Sequence, residues 1–103
     1  MVRVNEQHFD GFDWDAGNVA KCQSHGITSA EVESIFTGAP LIGPDPFDPA
    51  VEMRWRAIGR AMNGRPAFVA FTVRLIDGQR LIRPISARYM HAKEARKYEQ
   101  EQG

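Results

Sequence analysis

The fold is decided by residues 51–89, VEMRWRAIGRAMNGRPAFVAFTVRLIDGQRLIRPISARY. Asn63-Gly64 and Asp77-Gly78 divide this stretch into three strand-like runs, and both dipeptides are typical of tight β-hairpin turns. The runs cover residues 51–57, 66–72 and 81–87. Apolar and polar side chains alternate in the first run, whereas the second is apolar on both faces. The pattern predicts an antiparallel meander whose middle strand is the most buried.

Prolines predict two interruptions. Pro84 lies inside the third run and lacks the N–H that a strand ladder uses, so we expect a bulge or an unpaired edge there. Residues 43–49 contain three prolines, and we therefore expect an irregular linker that crosses the surface of the domain.

Three helices are predicted around the meander. Asp15 is the expected N-cap of a first helix that ends near Ser24. Thr28 and Glu31 have the spacing of a capping box at the start of a second helix. A third helix is expected over residues 91–102, where small and aromatic side chains recur on one face.

The order of these elements predicts an α+β fold: a short N-terminal strand near Phe12, two helices, a three-stranded antiparallel meander and a C-terminal helix. A length of 103 residues fits a single domain over residues 1–103. With 43% hydrophobic and 25% charged residues, the composition is globular and excludes wholesale disorder. We find no membrane-spanning run or signal peptide and therefore expect a cytoplasmic protein.

No metal or cofactor site is expected. A single cysteine, Cys22, excludes an intramolecular disulfide and a cysteine-rich zinc site. His8, His25 and His91 do not have the spacing of metal ligands. The sequence contains no Walker loop, dinucleotide fingerprint or HExxH motif.

The net charge of zero conceals a segregation of charges. Residues 1–52 carry two basic and nine acidic side chains, whereas residues 53–98 carry eleven basic and two acidic ones. Nine of those eleven are arginine, whose planar guanidinium suits phosphate. The basic half indicates either a polyanion or acidic protein partner, or a solvated sheet face that the acidic half balances.

Cleavage of RNA by its own 2′-hydroxyl is a reaction that these residues could support without a cofactor. It needs a base at the 2′-oxygen, cations around the phosphorane and an acid at the leaving 5′-oxygen. The candidate catalytic residues are Arg60, Arg83, Arg88, Tyr89 and His91. The candidate RNA-binding residues are Lys21, His25, Arg54, Arg56 and Lys93. We expect the guanidinium groups of Arg60, Arg83 and Arg88 to converge on one phosphodiester.

Two blocks of sequence carry a family resemblance. The first is FDWDAGN at residues 12–18, followed by Lys21 and by His25-Gly26-Ile27. The second comprises Ile58-Gly59-Arg60, Thr72-Val73-Arg74, IRPISAR at residues 82–88, Glu94 and Tyr98. Over residues 12–99 the chain resembles BrnT-type toxins, although Pro84 stands where many members have isoleucine.

The resemblance implies a RelE-like fold and a ribonuclease activity that inhibits translation. It also implies inhibition by a BrnA-type antitoxin. DNA would then be bound only indirectly, through the ribbon-helix-helix dimer of the antitoxin.

The same residues could also have purely structural roles. The arginines could be solvated strand residues or antitoxin contacts, His25 could cap a helix C-terminus, and Tyr89 could be a packing residue. The alternative function is a non-catalytic subunit that binds an antitoxin or a nucleic acid within an autoregulatory complex. A stand-alone DNA-binding protein is disfavoured because no recognition helix is apparent.

Overall fold

The computed structural model describes residues 2–3, 9–45 and 53–102. Within them the elements are β1 (Val2–Arg3), β2 (Gly11–Phe12), α1 (Ala16–Gln23), α2 (Ser29–Thr37), β3 (Leu41–Pro44), β4 (Trp55–Arg60), β5 (Pro66–Ile76), β6 (Gln79–Tyr89) and α3 (Ala92–Gln102). The predicted α+β fold, with two helices before a three-stranded meander and one after it, is confirmed. The finer RelE-like likeness stays a prediction.

One sheet contains the described strands in the order β1-β3-β4-β5-β6-β2. The meander of β4, β5 and β6 is antiparallel, as predicted, and its last two strands are longer than the apolar runs suggested. Asp77 and Gly78 both have positive φ, 51° and 81°, which is the conformation of a tight hairpin turn. The short β2 pairs with β6 in parallel, so that Phe12 lies beside Ile82.

The prediction of an irregular linker over residues 43–49 is wrong at its first two positions. Gly43 and Pro44 belong to β3, where they pair with Arg56 and Trp55 of β4. Pro44 is tolerated because its nitrogen points away from β4: the next residue, Asp45, is the one whose N–H donates to Arg54 O. Residues 46–49 of the predicted linker, and residues 51–52 of the predicted first meander strand, lie outside the described residues.

The interruption predicted at Pro84 is a β-bulge. Phe71 of β5 pairs with Pro84, but Ala70 pairs with Ser86, which leaves Ile85 without an opposite residue. The extra residue shifts the alternation of β6 by one position. As a result Arg83 and Arg88, although five residues apart, lie on the same face of the sheet, opposite Thr72 and Phe68.

The core lies on the other face of the sheet, beneath α1 and α2. Ala57, Val69 and Ala87 follow one another across β4, β5 and β6, and all are buried. Phe36 of α2 packs edge-on against Phe71, with ring centroids 5.2 Å apart. Helices of eight and nine residues are too short to persist alone, so this packing is what stabilises them.

Both predicted helix starts are confirmed. Asp15 caps α1, with Asn18 as the third residue of its capping box, and Thr28 caps α2 with Glu31. The third helix, α3, begins after His91, whose backbone N–H donates to Glu94 Oε1. In the part of the chain that the structure describes, no helix is long and apolar enough to cross a membrane.

Gly59 of β4 lies close to residues of α2 and to Pro40, which follows it. A Cβ atom at this position would lie 2.9 Å from Pro40 Cβ and 3.3 Å from Ile35 Cγ2. Because overpacking of this kind costs about 1–3 kcal/mol, we expect Gly59→Ala to lower the free energy of unfolding by that amount. Denaturant titration followed by circular dichroism measures the change.

Gly38→Ala is the matched control, because a Cβ there meets only backbone oxygens at ordinary distances of 3.7 and 3.8 Å. Equal stability of the Gly59→Ala and wild-type proteins would contradict the close packing of Gly59.

Candidate functional site

The face of the sheet that points away from α1 and α2 carries two rows of neighbouring side chains. Arg56, Ala70 and Ser86 form one row across β4, β5 and β6. Ile58, Phe68 and Arg88 form the next row. All six side chains are half-buried. This face of the sheet is therefore cationic and aromatic, whereas the core face carries alanine and valine at the neighbouring positions.

The Phe68 ring lies between two guanidinium groups. Arg56 Cζ is 5.3 Å from the ring centroid, and Arg88 Cζ is 4.7 Å from it. Both are cation–π contacts, and they hold two like charges near one another. The Nε–H of Arg56 is buried and has no hydrogen-bond partner among the described residues. This donor of Arg56 is therefore unpaired beneath the surface, not exposed on it.

A cleft of about 210 Å³ opens over this surface, and we refer to it as the first cleft. Its lining residues are His25, Asp45, Arg56, Phe68, Ala70, Ser86, Ala87 and Arg88. His25 belongs to the turn after α1, where its backbone N–H donates to Cys22 O. The cleft brings together three of the predicted site residues, namely His25, Arg56 and Arg88.

Glu94 of α3 neutralises Arg88. The two guanidinium nitrogens of Arg88 donate to the two carboxylate oxygens of Glu94 at 2.9 and 3.1 Å. This pair and the N–H of His91 lower the pKa of Glu94 from 4.5 to about 2. The same pair raises the pKa of Arg88. A bidentate ion pair of this kind is strong in part because its geometry is fixed.

Arg83 is bound by two other carboxylates. Its guanidinium lies 3.3 Å from Asp13 Oδ2 and 2.6 Å from Asp15 Oδ2. The pKa of Asp15 is lowered, first by the backbone N–H of Asn18 and then by Arg83. Arg83 thereby fastens β6 to the N-terminus of α1, and it does not line the first cleft.

Arg60 lies at the end of β4 and contacts α3. It donates to Gly64 O at 2.8 Å, pairs with Glu99 at 3.5 Å, and its Cζ is 5.7 Å from the centroid of the Tyr98 ring. Arg60, Arg83 and Arg88 therefore have different acidic partners. The expected convergence of these three arginines in one pocket is not found, since only Arg88 lines the first cleft.

Tyr89 is directed to the opposite face of the sheet from Arg88. Its hydroxyl accepts a hydrogen bond from Asn63 Nδ2 at 2.9 Å, and Arg65 Cζ lies 3.9 Å from its ring centroid. Burial, followed by a hydrogen bond with Glu31, raises the pKa of the Tyr89 hydroxyl. The group therefore stays protonated and ties the β4–β5 turn to α2.

The other candidate residues do not line the first cleft. His91 and Lys93 are exposed at the start of α3, next to the Arg88–Glu94 pair. Lys21 is exposed in the last turn of α1. Arg54 is exposed just before β4, and its carbonyl accepts the N–H of Asp45. No group of three or more potential metal ligands occurs among the described residues.

Sequence reasoning missed Phe68, Asp45 and Ser86 as residues of the cleft. Phe68 lies in a run that is apolar on both faces, so nothing local distinguishes it from the core residues beside it. Asp45 is 20 positions from His25 in the sequence, and only the tertiary structure brings the two to one cleft.

The comparison with known protein families agrees with the resemblance of the two sequence blocks. The family described as "Ribonuclease toxin, BrnT, of type II toxin-antitoxin system" matches residues 14–94. The matched region includes α1, α2, the meander and all the residues that line the first cleft. No curated protein matches the chain.

The Arg88–Glu94 pair can be tested by titration. We expect the Glu94 carboxyl carbon, followed by NMR, to titrate near pH 2 in the wild type. Because the folded pKa lies below the ordinary 4.5, the pair stabilises α3 fully above that pH and is lost as the pH falls through the folded value. In Arg88→Ala the midpoint should rise towards 4.5, and an unchanged midpoint would contradict the pair.

Proposed function

The chain belongs to the BrnT family of ribonuclease toxins of type II toxin–antitoxin systems, and from that premise we propose that it cleaves RNA in the first cleft and thereby inhibits translation. The observation that carries the proposal is the placement of Arg56 and Arg88 on either side of Phe68, with His25 in the same cleft. Two cations and a group that can transfer protons are what the 2′-hydroxyl reaction needs.

Arg56 and Arg88 are assigned to the scissile phosphate. Arg56 lines the first cleft, where its guanidinium can donate to a phosphate. The Arg88 guanidinium donates two hydrogen bonds to Glu94 and has further N–H donors. Arg88 can therefore bind a phosphate with its other donors, or exchange one carboxylate oxygen for a phosphate oxygen. Negative charge builds up on the phosphorane in the transition state, where two fixed cations stabilise it most.

Proton transfer is assigned to His25, with His91 as the second group. His25 lines the first cleft, and its imidazole can accept the 2′-hydroxyl proton or donate one to the 5′-oxygen. His91 stands beside the Arg88–Glu94 pair at the start of α3. Because the nucleophile comes from the RNA itself, the proposed reaction requires no metal ion.

The remaining predicted residues are assigned supporting roles. Arg83 and Tyr89 hold the two sides of β6, and Arg60 holds α3. Lys21, Arg54 and Lys93 are exposed and do not line the cleft, and we assign them to RNA phosphates that lie outside it.

The proposed partners are an RNA substrate and a BrnA-type antitoxin. We expect the antitoxin to neutralise the toxin in the cytoplasm and to provide the only contact with promoter DNA. The alternative, a non-catalytic antitoxin-binding subunit, draws support from the carboxylates that already neutralise Arg60, Arg83 and Arg88.

RNA cleavage by the purified protein tests the proposal. We expect cleavage of a long RNA in buffer with EDTA, and products that end in a 2′,3′-cyclic phosphate, because the 2′-oxygen is the nucleophile. Arg56→Ala and Arg88→Ala should each lower kcat by about 100- to 1,000-fold, the usual cost of removing one transition-state donor. His25→Gln should lower kcat while KM stays similar.

Arg96→Ala is the matched control, because Arg96 is an exposed cation of α3 that does not line this cleft and does not belong to the Arg88–Glu94 pair. It should cleave RNA like the wild type. If Arg88→Ala still cleaves RNA and arrests growth but binds the antitoxin weakly, the non-catalytic alternative replaces the proposed assignment of Arg88.

A further inference from the structure

A second cleft lies beside the first, between α3 and strands β4 and β5. Its volume is about 370 Å³, within the range of pockets that hold small organic ligands. The residues that line it are Arg56, Ile58, Phe68, Met90, Glu94, Lys97, Tyr98 and Glu101. It shares Arg56 and Phe68 with the first cleft, so the two form adjoining compartments of one surface.

We propose that the second cleft binds a nucleotide next to the scissile phosphate of a single-stranded RNA, with its base against Tyr98 and its phosphate near Lys97. This inference rests on the proposed function, because it takes the first cleft as the place where the scissile phosphate binds.

The floor of the second cleft suits a nucleobase. Ile58, Phe68 and Met90 are apolar side chains that are only half-buried. A bound base would remove their exposed apolar surface from water. Tyr98 adds a half-buried aromatic ring at the wall. Bases of every type have a π-face, so stacking on such a ring gives affinity without a strict sequence requirement.

Arg60 holds the Tyr98 ring in place. Arg60 Cζ lies 5.7 Å from the ring centroid, and the same guanidinium pairs with Glu99 in the next position of α3. The Arg88–Glu94 pair fixes α3 one turn earlier. The wall of the second cleft is therefore anchored at two points, although none of the described side chains of α3 is fully buried.

The charges around the second cleft direct the phosphate. Lys97 and Arg56 are cationic, Glu94 is already engaged with Arg88, and Glu101 repels a phosphate from its own side. The phosphate is therefore expected between Lys97 and Arg56, which is the side where the second cleft meets the first. A nucleotide bound in this way continues the RNA strand from one cleft to the other.

The test compares short RNAs that cannot be cleaved. Fluorescence anisotropy gives the Kd values of a 2′-fluoro nucleoside 3′-phosphate, which ends at the phosphate of the first cleft, and of a 2′-fluoro hexanucleotide, which continues into the second cleft. Both lack the attacking hydroxyl. Stacking of one further base should make the hexanucleotide bind about 5- to 100-fold more tightly to the wild type. Tyr98→Ala should lose most of that gain and Lys97→Ala part of it, with binding of the nucleoside 3′-phosphate unchanged in both.

Two variants serve as controls, and circular dichroism confirms that each protein is folded. Tyr98→Phe keeps the ring and should retain the gain, as should Arg96→Ala, which removes a neighbouring exposed cation of α3 that does not line the cleft.

Wild-type affinity for the hexanucleotide in both Tyr98→Ala and Lys97→Ala would overturn the second nucleotide site. Loss of antitoxin binding alone in these variants would also overturn it, by showing that the second cleft accepts a protein segment. Cleavage by the wild type is measured separately. Without cleavage, the proposed function fails even if the length-dependent gain in affinity remains.

Discussion

The bulge in β6 is the constraint on which the arrangement of the face opposite the core depends. Side chains of a strand alternate between its faces, so Arg83 and Arg88 would lie on opposite faces of a regular strand. The extra residue at Ile85 places both on the face opposite the core, and it places Ala87 in the core beside Val69. Without that shift the Arg88 guanidinium would be directed into the apolar layer beneath α1 and α2, where an unpaired charge is strongly disfavoured.

The two faces of the sheet have different tasks. One face supplies the packing that makes two short helices persist, and it needs small and apolar side chains in register. The other face stacks Arg56 and Arg88 on Phe68 and leaves room for two adjoining clefts. Ion pairs to Asp15, Glu94 and Glu99 fasten α1 and α3 to this sheet. The acidic residues thus organise the basic surface as well as balancing its charge.

Local signals in the sequence were sufficient for the meander and the helix starts. The Asp77-Gly78 turn and the Thr28–Glu31 capping box act within a few residues, so short sequence patterns predict them. β3 was missed because a four-residue strand ending in Pro44 forms only through its pairing with β4. The expectation that the three arginines share one pocket was wrong. Strand order, bulge position and acidic partners depend on contacts between residues distant in sequence, which local patterns do not reveal. Arg88 was identified, whereas Phe68 was indistinguishable from its core neighbours.

The most direct measurement is a crystal structure of the protein with an uncleavable 2′-fluoro RNA. We expect a phosphate within hydrogen-bond distance, about 2.7–2.9 Å, of both Arg56 and Arg88 in the first cleft. We also expect the His25 imidazole next to the sugar of the preceding nucleotide. A phosphate bound elsewhere, for example at Arg83 or on the sheet face that α1 and α2 cover, with the first cleft free of RNA, would contradict this assignment.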